Sequence, residues 1–105
     1  NLMIIDYRAY TFKPGSIPTF YKMFESEGLE PQQRILGNFL GMYRTDVGNV
    51  NEVIHMWGYE DSGEKERRRA ELYKDPVFAD YVVRARELIT GQDVRTLIPA
   101  PFNPK

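Results

Sequence analysis

The order of hydrophobic patterns along the chain is the feature that most constrains its fold. Strand-like and helix-like spacings follow one another in the ranges 3–12, 17–36, 38–46, 51–59, 62–89 and 93–99. The second and fifth ranges have helical spacing, whereas the other four are strand-like. This order predicts an α+β, ferredoxin-like βαββαβ fold, in which an antiparallel sheet carries its helices on one face.

Capping residues mark where the first helical region begins and ends. Ser16 is a favourable N-cap, and Pro18 suits the first turn of a helix. We interpret Gly28 as the end of this helix. A short second helical piece then covers 29–36 and ends before Gly37.

The second half of the chain carries its own turn and capping signals. Val-Gly-Asn-Val at 47–50 is typical of a hairpin turn between two strands. Asp61 and Glu64 resemble a capping box, and Asp75 followed by a proline restarts or kinks the helix. We interpret Gly91 as the end of that helix.

Length and composition limit the possible classes of protein. A chain of 105 residues predicts one domain spanning 1–105. Its formal net charge is −1 with acids and bases mixed, which argues against nucleic acid as a partner. There is no cysteine, so disulfides and thiolate metal sites are excluded, and no apolar run approaches the ~18 residues of a membrane span. We expect a cytoplasmic protein without metal, cofactor or membrane insertion.

Several motifs resemble one known family in order along the chain. They are DYRAYTFKPGSIPTFYKMFESEGL at 6–29, GNFLGMYRTDVGNVNEVIHMWGYED at 37–61, ERRRAEL at 66–72 and IPAPFNP at 98–104. With these motifs the chain resembles the NIPSNAP family over nearly its whole length. The resemblance implies a dimeric α/β barrel, in which the sheets of two chains face each other, and a bacterial origin for a short single-domain member. Asp6 and Gly58 depart from the family pattern, which often has glutamate and a bulky or basic residue there.

Alternation along the strands brings most candidate site residues together. In a ferredoxin-like sheet the first and third strands are neighbours, so one face of each contributes to a shared cavity. The candidate ligand-pocket residues are Asp6, Arg8, Tyr10, Arg44, His55 and Trp57. Because Ile54 and Met56 on the opposite face suit packing under helices, we expect the candidate residues to face away from the helices and into the barrel.

The sheet face away from the helices is not uniformly polar in sequence, so it needs a cover. A second copy of the chain is the simplest cover, which predicts a homodimer or a larger homo-oligomer. The proline-rich tail at 99–105 cannot form a helix or a central strand. We expect it to reach a neighbouring subunit, with Phe102 as an anchor.

The residues leave several functions open. The first is binding of a small acidic or aromatic molecule in the barrel, with Arg8 as anion partner, His55 as polar contact and Trp57 as stacking wall. The second is a cofactor-independent oxygenase-like or isomerase-like enzyme with His55 as catalytic base. The third is an interaction module, like family members tied to vesicular transport and signalling, that uses the surface near Arg67–Arg69. A purely structural role, in which an Asp6–Arg8 ion pair and packed rings fill the barrel, is the simplest alternative.

Overall fold

The computed structural model describes residues 3–104. The elements are β1 (Ile4–Phe12), α1 (Ile17–Met23), a π-helical segment (Phe24–Gly28), α2 (Leu29–Leu36), β2 (Asn38–Arg44), β3 (Glu52–Tyr59), α3 (Ser62–Leu72), α4 (Pro76–Arg86) and β4 (Ile89–Leu97). The strands form one antiparallel sheet in the order β2-β3-β1-β4, and the helices cover one of its faces. The predicted ferredoxin-like α+β fold is confirmed.

The first helical region is continuous, so the prediction that it ends at Gly28 is wrong. Gly28 has helical backbone angles, φ −86° and ψ −35°, and links the π-helical segment to α2. A Cβ atom at this position would lie 2.6 Å from Cζ of Tyr81. Gly28 therefore allows α4 to approach closely. The helix ends at Gly37, whose φ of +93° suits glycine, as predicted.

The predicted starts of α3 and α4 are confirmed by their caps. The backbone N–H of Glu64 donates to Oδ1 of Asp61 at 2.7 Å, and that of Phe78 donates to Oδ2 of Asp75 at 3.0 Å. The capping box is only half formed, because the Glu64 carboxylate accepts from the backbone N–H of Glu60 instead. These bonds satisfy N–H groups that the helix itself leaves without partners.

Two other local predictions differ from the structure. Ser16 occupies the N-cap position of α1, but its hydroxyl donates to the Lys13 carbonyl and caps no N–H. Gly91 does not end a helix, because α4 has already ended at Arg86 and Gly91 lies inside β4, opposite Thr11. The last strand is therefore longer than the sequence predicts.

The helices cover the sheet face that carries the bulkiest side chains, which we call the inner face. Phe12, Trp57 and Tyr59 on this face are almost fully buried against the helices. Asp6 lies directly opposite Trp57, and Arg8 lies opposite His55, so they share this face. The prediction that Asp6, Arg8, Tyr10, His55 and Trp57 face away from the helices is therefore wrong.

Side-chain volume explains the correction. Burying one aromatic residue removes about 150–250 Å² from water, and the inner face carries more aromatic rings than the other face does. Several polar groups of the inner face pair with one another, as Arg8 does with Asp6 and Tyr10. The opposite or outer face carries Ile5, Tyr7, Ala9, Ile54, Met56 and Leu97. No helix within residues 3–104 is both long enough and apolar enough to cross a membrane.

Candidate binding site between the sheet and the helices

Asp6 is the centre of a buried polar cluster between the sheet and the helices. Its side chain is 0% exposed. Nη1 of Arg8 lies 3.2 Å from Oδ2 of Asp6, and Nη1 of Arg69, which comes from α3, lies 4.0 Å from the same oxygen. Two guanidinium groups thus share one carboxylate, which leaves the cluster with an excess of positive charge.

Arg8 also contacts Tyr10 on the same strand face. Its Nε donates to the Tyr10 hydroxyl at 2.8 Å. Burial alone would lower the pKa of Arg8, but Tyr10 and Asp6 more than compensate, so the pKa is raised. The guanidinium therefore stays charged inside the fold.

Trp57 and His55 form a second part of the cluster. The indole Nε1–H donates to Nδ1 of His55 at 2.9 Å. The indole stacks on Phe39 with ring centroids 4.5 Å apart, and Trp57 is 1% exposed. The stacking wall expected for a ligand is therefore already in use, and Trp57 serves instead as a fixed hydrogen-bond donor.

The surroundings of His55 keep its ring neutral. Burial, followed by the charges of Arg8 and Arg69, lowers the pKa of His55 to about 3. Because a neutral imidazole has one donor and one acceptor, and Nδ1 accepts from Trp57, Nε2 must carry the hydrogen. The ring therefore offers a hydrogen bond, whereas the alternative that uses His55 as a catalytic base needs a free lone pair.

Two buried polar atoms have no partner among residues 3–104, namely Nε2 of His55 and the hydroxyl of Tyr59. Leaving such a group without a partner costs roughly 1–3 kcal/mol, so it calls for an explanation. Burial, followed by the charge of Asp6, raises the pKa of Tyr59 to about 12, so its hydroxyl remains protonated. Both groups can donate to a molecule that enters the cluster.

Tyr59 and Arg69 were missed by the sequence reasoning, although both carried a signal. Tyr59 shares the strand face of His55 and Trp57 and follows directly from alternation. Arg69 lies three residues before the buried Leu72, and this spacing places both on one side of α3. A run of three arginines obscured that only one of them reaches Asp6.

Arg44 is not brought to the cluster. It lies at the end of β2, opposite Val53. There it lines a different groove of about 390 Å³, together with Ile17, Tyr21 and Val50. The structure therefore brings together five of the six predicted site residues and separates the sixth.

Part of the inner face next to the cluster is exposed along β4. Val94 lies opposite Arg8 and Thr96 opposite Asp6, so both belong to the inner face, yet Val94 is 43% exposed and Thr96 is also exposed. The helices thus leave this part of the inner face open. Nζ of Lys65 approaches Oγ1 of Thr96 at 3.5 Å and adds a positive charge. We call the region around Arg8, Arg69, Lys65, Val94 and Thr96 the β4 trough.

The side chains of Arg8 and Arg69 keep 15% and 25% of their surface exposed, whereas Asp6 keeps none. A solute that reaches the cluster along β4 therefore meets positive charge first. Fold and site together define the class of protein. It is a ferredoxin-like α+β protein that encloses a cation-rich polar cluster between its two layers. The family model for NIPSNAP matches residues 5–104, and the chain belongs to the NIPSNAP family.

Solved structures support this assignment. A NIPSNAP family protein from Agrobacterium tumefaciens superimposes with a TM-score of 0.93 at 35% identity, covering 96% of this chain and 89% of that one. A NIPSNAP-like domain protein from Burkholderia xenovorans gives 0.92 at 36% identity, covering 98% and 90%. A second Agrobacterium tumefaciens family protein, described as having unknown function, gives 0.92 at 33% identity, covering 97% and 92%.

More distant similarities define only the fold or part of a longer protein. A Chloroflexus aurantiacus protein, provisionally described as an antibiotic biosynthesis monooxygenase, has a TM-score of 0.66 at 12% identity, covering 97% of each chain, which shows the fold alone. The NipSnap homolog of Dictyostelium discoideum is 24% identical over 94 residues, which is 90% of this chain and 41% of that protein. The chain therefore spans less than half the length of this curated relative.

Proposed function

We propose that the chain binds a small anionic molecule in the polar cluster, which the molecule reaches through the β4 trough. Arg8 and Arg69 supply the opposite charge, and His55 and Tyr59 supply hydrogen-bond donors from inside the fold. The observation that carries this proposal is that both donors are buried without a partner among residues 3–104, beside two guanidinium groups that share one carboxylate.

A purely structural ion pair explains the cluster less well. One arginine is enough to neutralise Asp6, and each additional buried charge carries a desolvation penalty. The second guanidinium and the two unpartnered donors add to that penalty. A bound anion offsets all three unfavourable features together.

The site differs in position from the barrel pocket that the sequence predicts. The cluster lies between the sheet and the helices of one chain, so a ligand there does not depend on a second subunit. We propose that dimerisation uses the apolar outer face, on the other side of the sheet. Homodimer formation, a bacterial source and a cytoplasmic location stay predictions.

The two alternative functions find less support in the geometry. An enzyme with His55 as base needs a free lone pair on the ring, whereas Nδ1 accepts from Trp57 and Nε2 carries the hydrogen. An interaction surface at the three arginines needs them to act together. Arg68 instead donates to the Ile35 carbonyl and pairs with Glu64, and Arg69 points inward to Asp6.

A matched pair of substitutions on α3 tests the proposal. Arg69→Gln removes a charge from the cluster, whereas Arg67→Gln removes the same charge from an exposed position two residues away. Isothermal titration with benzoate should show binding to the wild type, a loss of at least about tenfold in Arg69→Gln, and unchanged binding in Arg67→Gln. Equal losses in both variants would indicate only general attraction to a basic helix.

The variant Asp6→Asn provides a test with the opposite sign. It removes the internal counter-charge of Arg8 and Arg69, so an external anion should bind more tightly than in the wild type. The same titration measures the change, and circular dichroism confirms that the variant is folded. Weaker benzoate binding in folded Asp6→Asn would contradict the proposed arrangement of charges.

A further inference from the structure

On the basis of the proposed function, we infer that the ligand is a monocarboxylate whose oxygen accepts the Nε2–H of His55, and that Trp57 is the positioning residue that fixes this donor. This class of ligand, narrower than any small anion, fits the direction of one hydrogen bond, the charges around the imidazole and the shape of the surrounding side chains.

Trp57 determines which nitrogen of His55 carries hydrogen. An indole N–H can only donate, so the nitrogen facing it must be the acceptor. That nitrogen is Nδ1, at 2.9 Å. Because Trp57 is almost fully buried and stacked on Phe39, it has no room to turn away. The imidazole therefore presents Nε2–H to whatever molecule occupies the site.

The groups that face His55 come from every layer around it. They are Arg8 and Tyr10 from β1, Trp57 from β3, Phe24 from the π-helical segment and Arg69 from α3. Among these, the two arginines disfavour protonation of the imidazole. A ligand group at Nε2 must therefore be a hydrogen-bond acceptor, which an ammonium group is not.

The charge of the cluster favours a single negative charge on the ligand. Around Asp6, Arg8 and Arg69 carry two positive charges and Asp6 carries one negative charge, whereas Lys65 lies apart from them beside Thr96. A monoanion makes the sum zero, whereas a dianion leaves an excess negative charge in a low-dielectric interior. A carboxylate also matches the planar guanidinium fork and can accept two parallel hydrogen bonds from it.

The aromatic side chains around His55 favour a flat apolar body. The Phe24 ring lies edge-on to the imidazole at 6.4 Å, and the Tyr10 ring lies at 5.5 Å. Nε2 has no contact with solvent, so a side chain must move before a ligand reaches it. Tyr10 is suited to move, because its side chain is only partly buried. Its hydroxyl accepts a hydrogen bond from Arg8, and a ligand oxygen can accept that bond in its place.

The first experiment determines the tautomer directly. His55 is the only histidine of the chain, so ¹⁵N-labelled histidine gives one pair of ring signals without assignment. We expect Nε2 protonated and Nδ1 unprotonated from pH 8 to about 5, in contrast to an ordinary histidine. Trp57→Phe should weaken this preference and let the Nδ1–H tautomer appear, and benzoate should shift the Nε2–H signal of the wild type. An Nδ1–H tautomer in the wild type would overturn the inference.

The second experiment separates the inference from the proposed function. His55→Asn keeps an acceptor near the Nδ1 position but has no donor at the Nε2 position. The longer side chain of His55→Gln places its amide N–H donor near Nε2. We expect benzoate binding to fall about tenfold in His55→Asn and to persist in His55→Gln. Uncharged benzamide and the dianion isophthalate should both bind the wild type more weakly than benzoate does.

The outcomes are distinguishable. If benzoate binds but His55→Asn and His55→Gln behave alike, or if isophthalate binds more tightly, the inference fails and the proposed function stands. If benzoate, isophthalate and inorganic phosphate all fail to bind, the proposed function fails together with the inference.

Discussion

At the scale of single residues, His55 differs from a histidine in water because several neighbours act on it together. Burial and the charges of Arg8 and Arg69 disfavour the imidazolium, while Trp57 selects one tautomer of the neutral ring. The result is a neutral donor with a fixed direction. A residue that the sequence suggested as a base is therefore better suited to recognising an acceptor atom.

This environment predicts a stability that depends on pH. The folded pKa of His55 is about 3, below the unfolded value of about 6.5, so only the unfolded chain takes up a proton as the pH falls. Stability should fall below pH 6.5 by up to about 1.4 kcal/mol per pH unit from this residue. Urea unfolding of the wild type and of His55→Asn between pH 7.5 and pH 5 measures the contribution of His55 to this pH dependence. Titration of the carboxylates affects both proteins equally and therefore cancels in the comparison. Parallel pH profiles would refute the shifted pKa.

The residue positions show how much the alternation of side chains along a strand can predict. It correctly placed Asp6, Arg8 and Tyr10 beside His55 and Trp57, because residues two apart share a face in any strand. It assigned this set to the wrong side of the sheet. Both faces are apolar enough to be buried, and the choice depends on helices that lie far away in the sequence.

At the scale of elements, the π-helical segment connects α1 to α2, so that the first helical region continues past Gly28. A π turn adds a residue to the helical repeat and is often found at functional sites. Here it places Phe24 edge-on to His55 and Gly28 against the Tyr81 ring. Its hydrogen-bond pattern leaves no simple sequence signature, so the glycine was interpreted as a helix end.

Gly28 gives a test of this packing. Gly28→Ala improves helix propensity by about 1 kcal/mol, but the new methyl group lies too close to the Tyr81 ring. Overpacking typically costs about 1–3 kcal/mol, so the variant should be less stable than the wild type in urea. Gly63→Ala on α3 is the control, because its methyl group would lie 3.2 Å from Nη1 of Arg67 and 3.3 Å from Oδ1 of Asp61, with no ring in its way, and should be close to neutral. A stabilised Gly28→Ala would show that Tyr81 moves aside easily.

At the scale of the whole molecule, the helices of the described chain, residues 3–104, cover only one face of the sheet. Side chains such as Ile5, Tyr7, Ile54 and Met56 lie on this outer face, half buried by one another and without a covering layer in residues 3–104. Antiparallel sheets can leave one face to water, but that face is then usually polar. Its composition supports the prediction that two copies of the chain pack through it.

Ile54→Glu tests this assembly. A glutamate at the centre of the outer face should prevent association, because burying an unpaired carboxylate is strongly unfavourable. Val83→Glu on α4, where the native valine is 60% exposed, is the control and should leave assembly unchanged. Sedimentation velocity at several concentrations should show a dimeric wild type, a monomeric Ile54→Glu and a dimeric Val83→Glu. A dimer that survives Ile54→Glu would place the interface elsewhere.

The sequence by itself determined the order of the elements, the antiparallel ferredoxin-like plan, the starts of α3 and α4 and the set of residues that share a strand face. These features depend on periodicity and caps, which act between residues close in the chain. Only the tertiary structure decided which face the helices cover, that Arg69 joins Asp6 while Arg44 does not, and that Trp57 turns His55 into a donor. Those outcomes depend on packing and electrostatic interactions between segments that are distant in sequence. Local sequence patterns do not show which of these competing interactions is stronger.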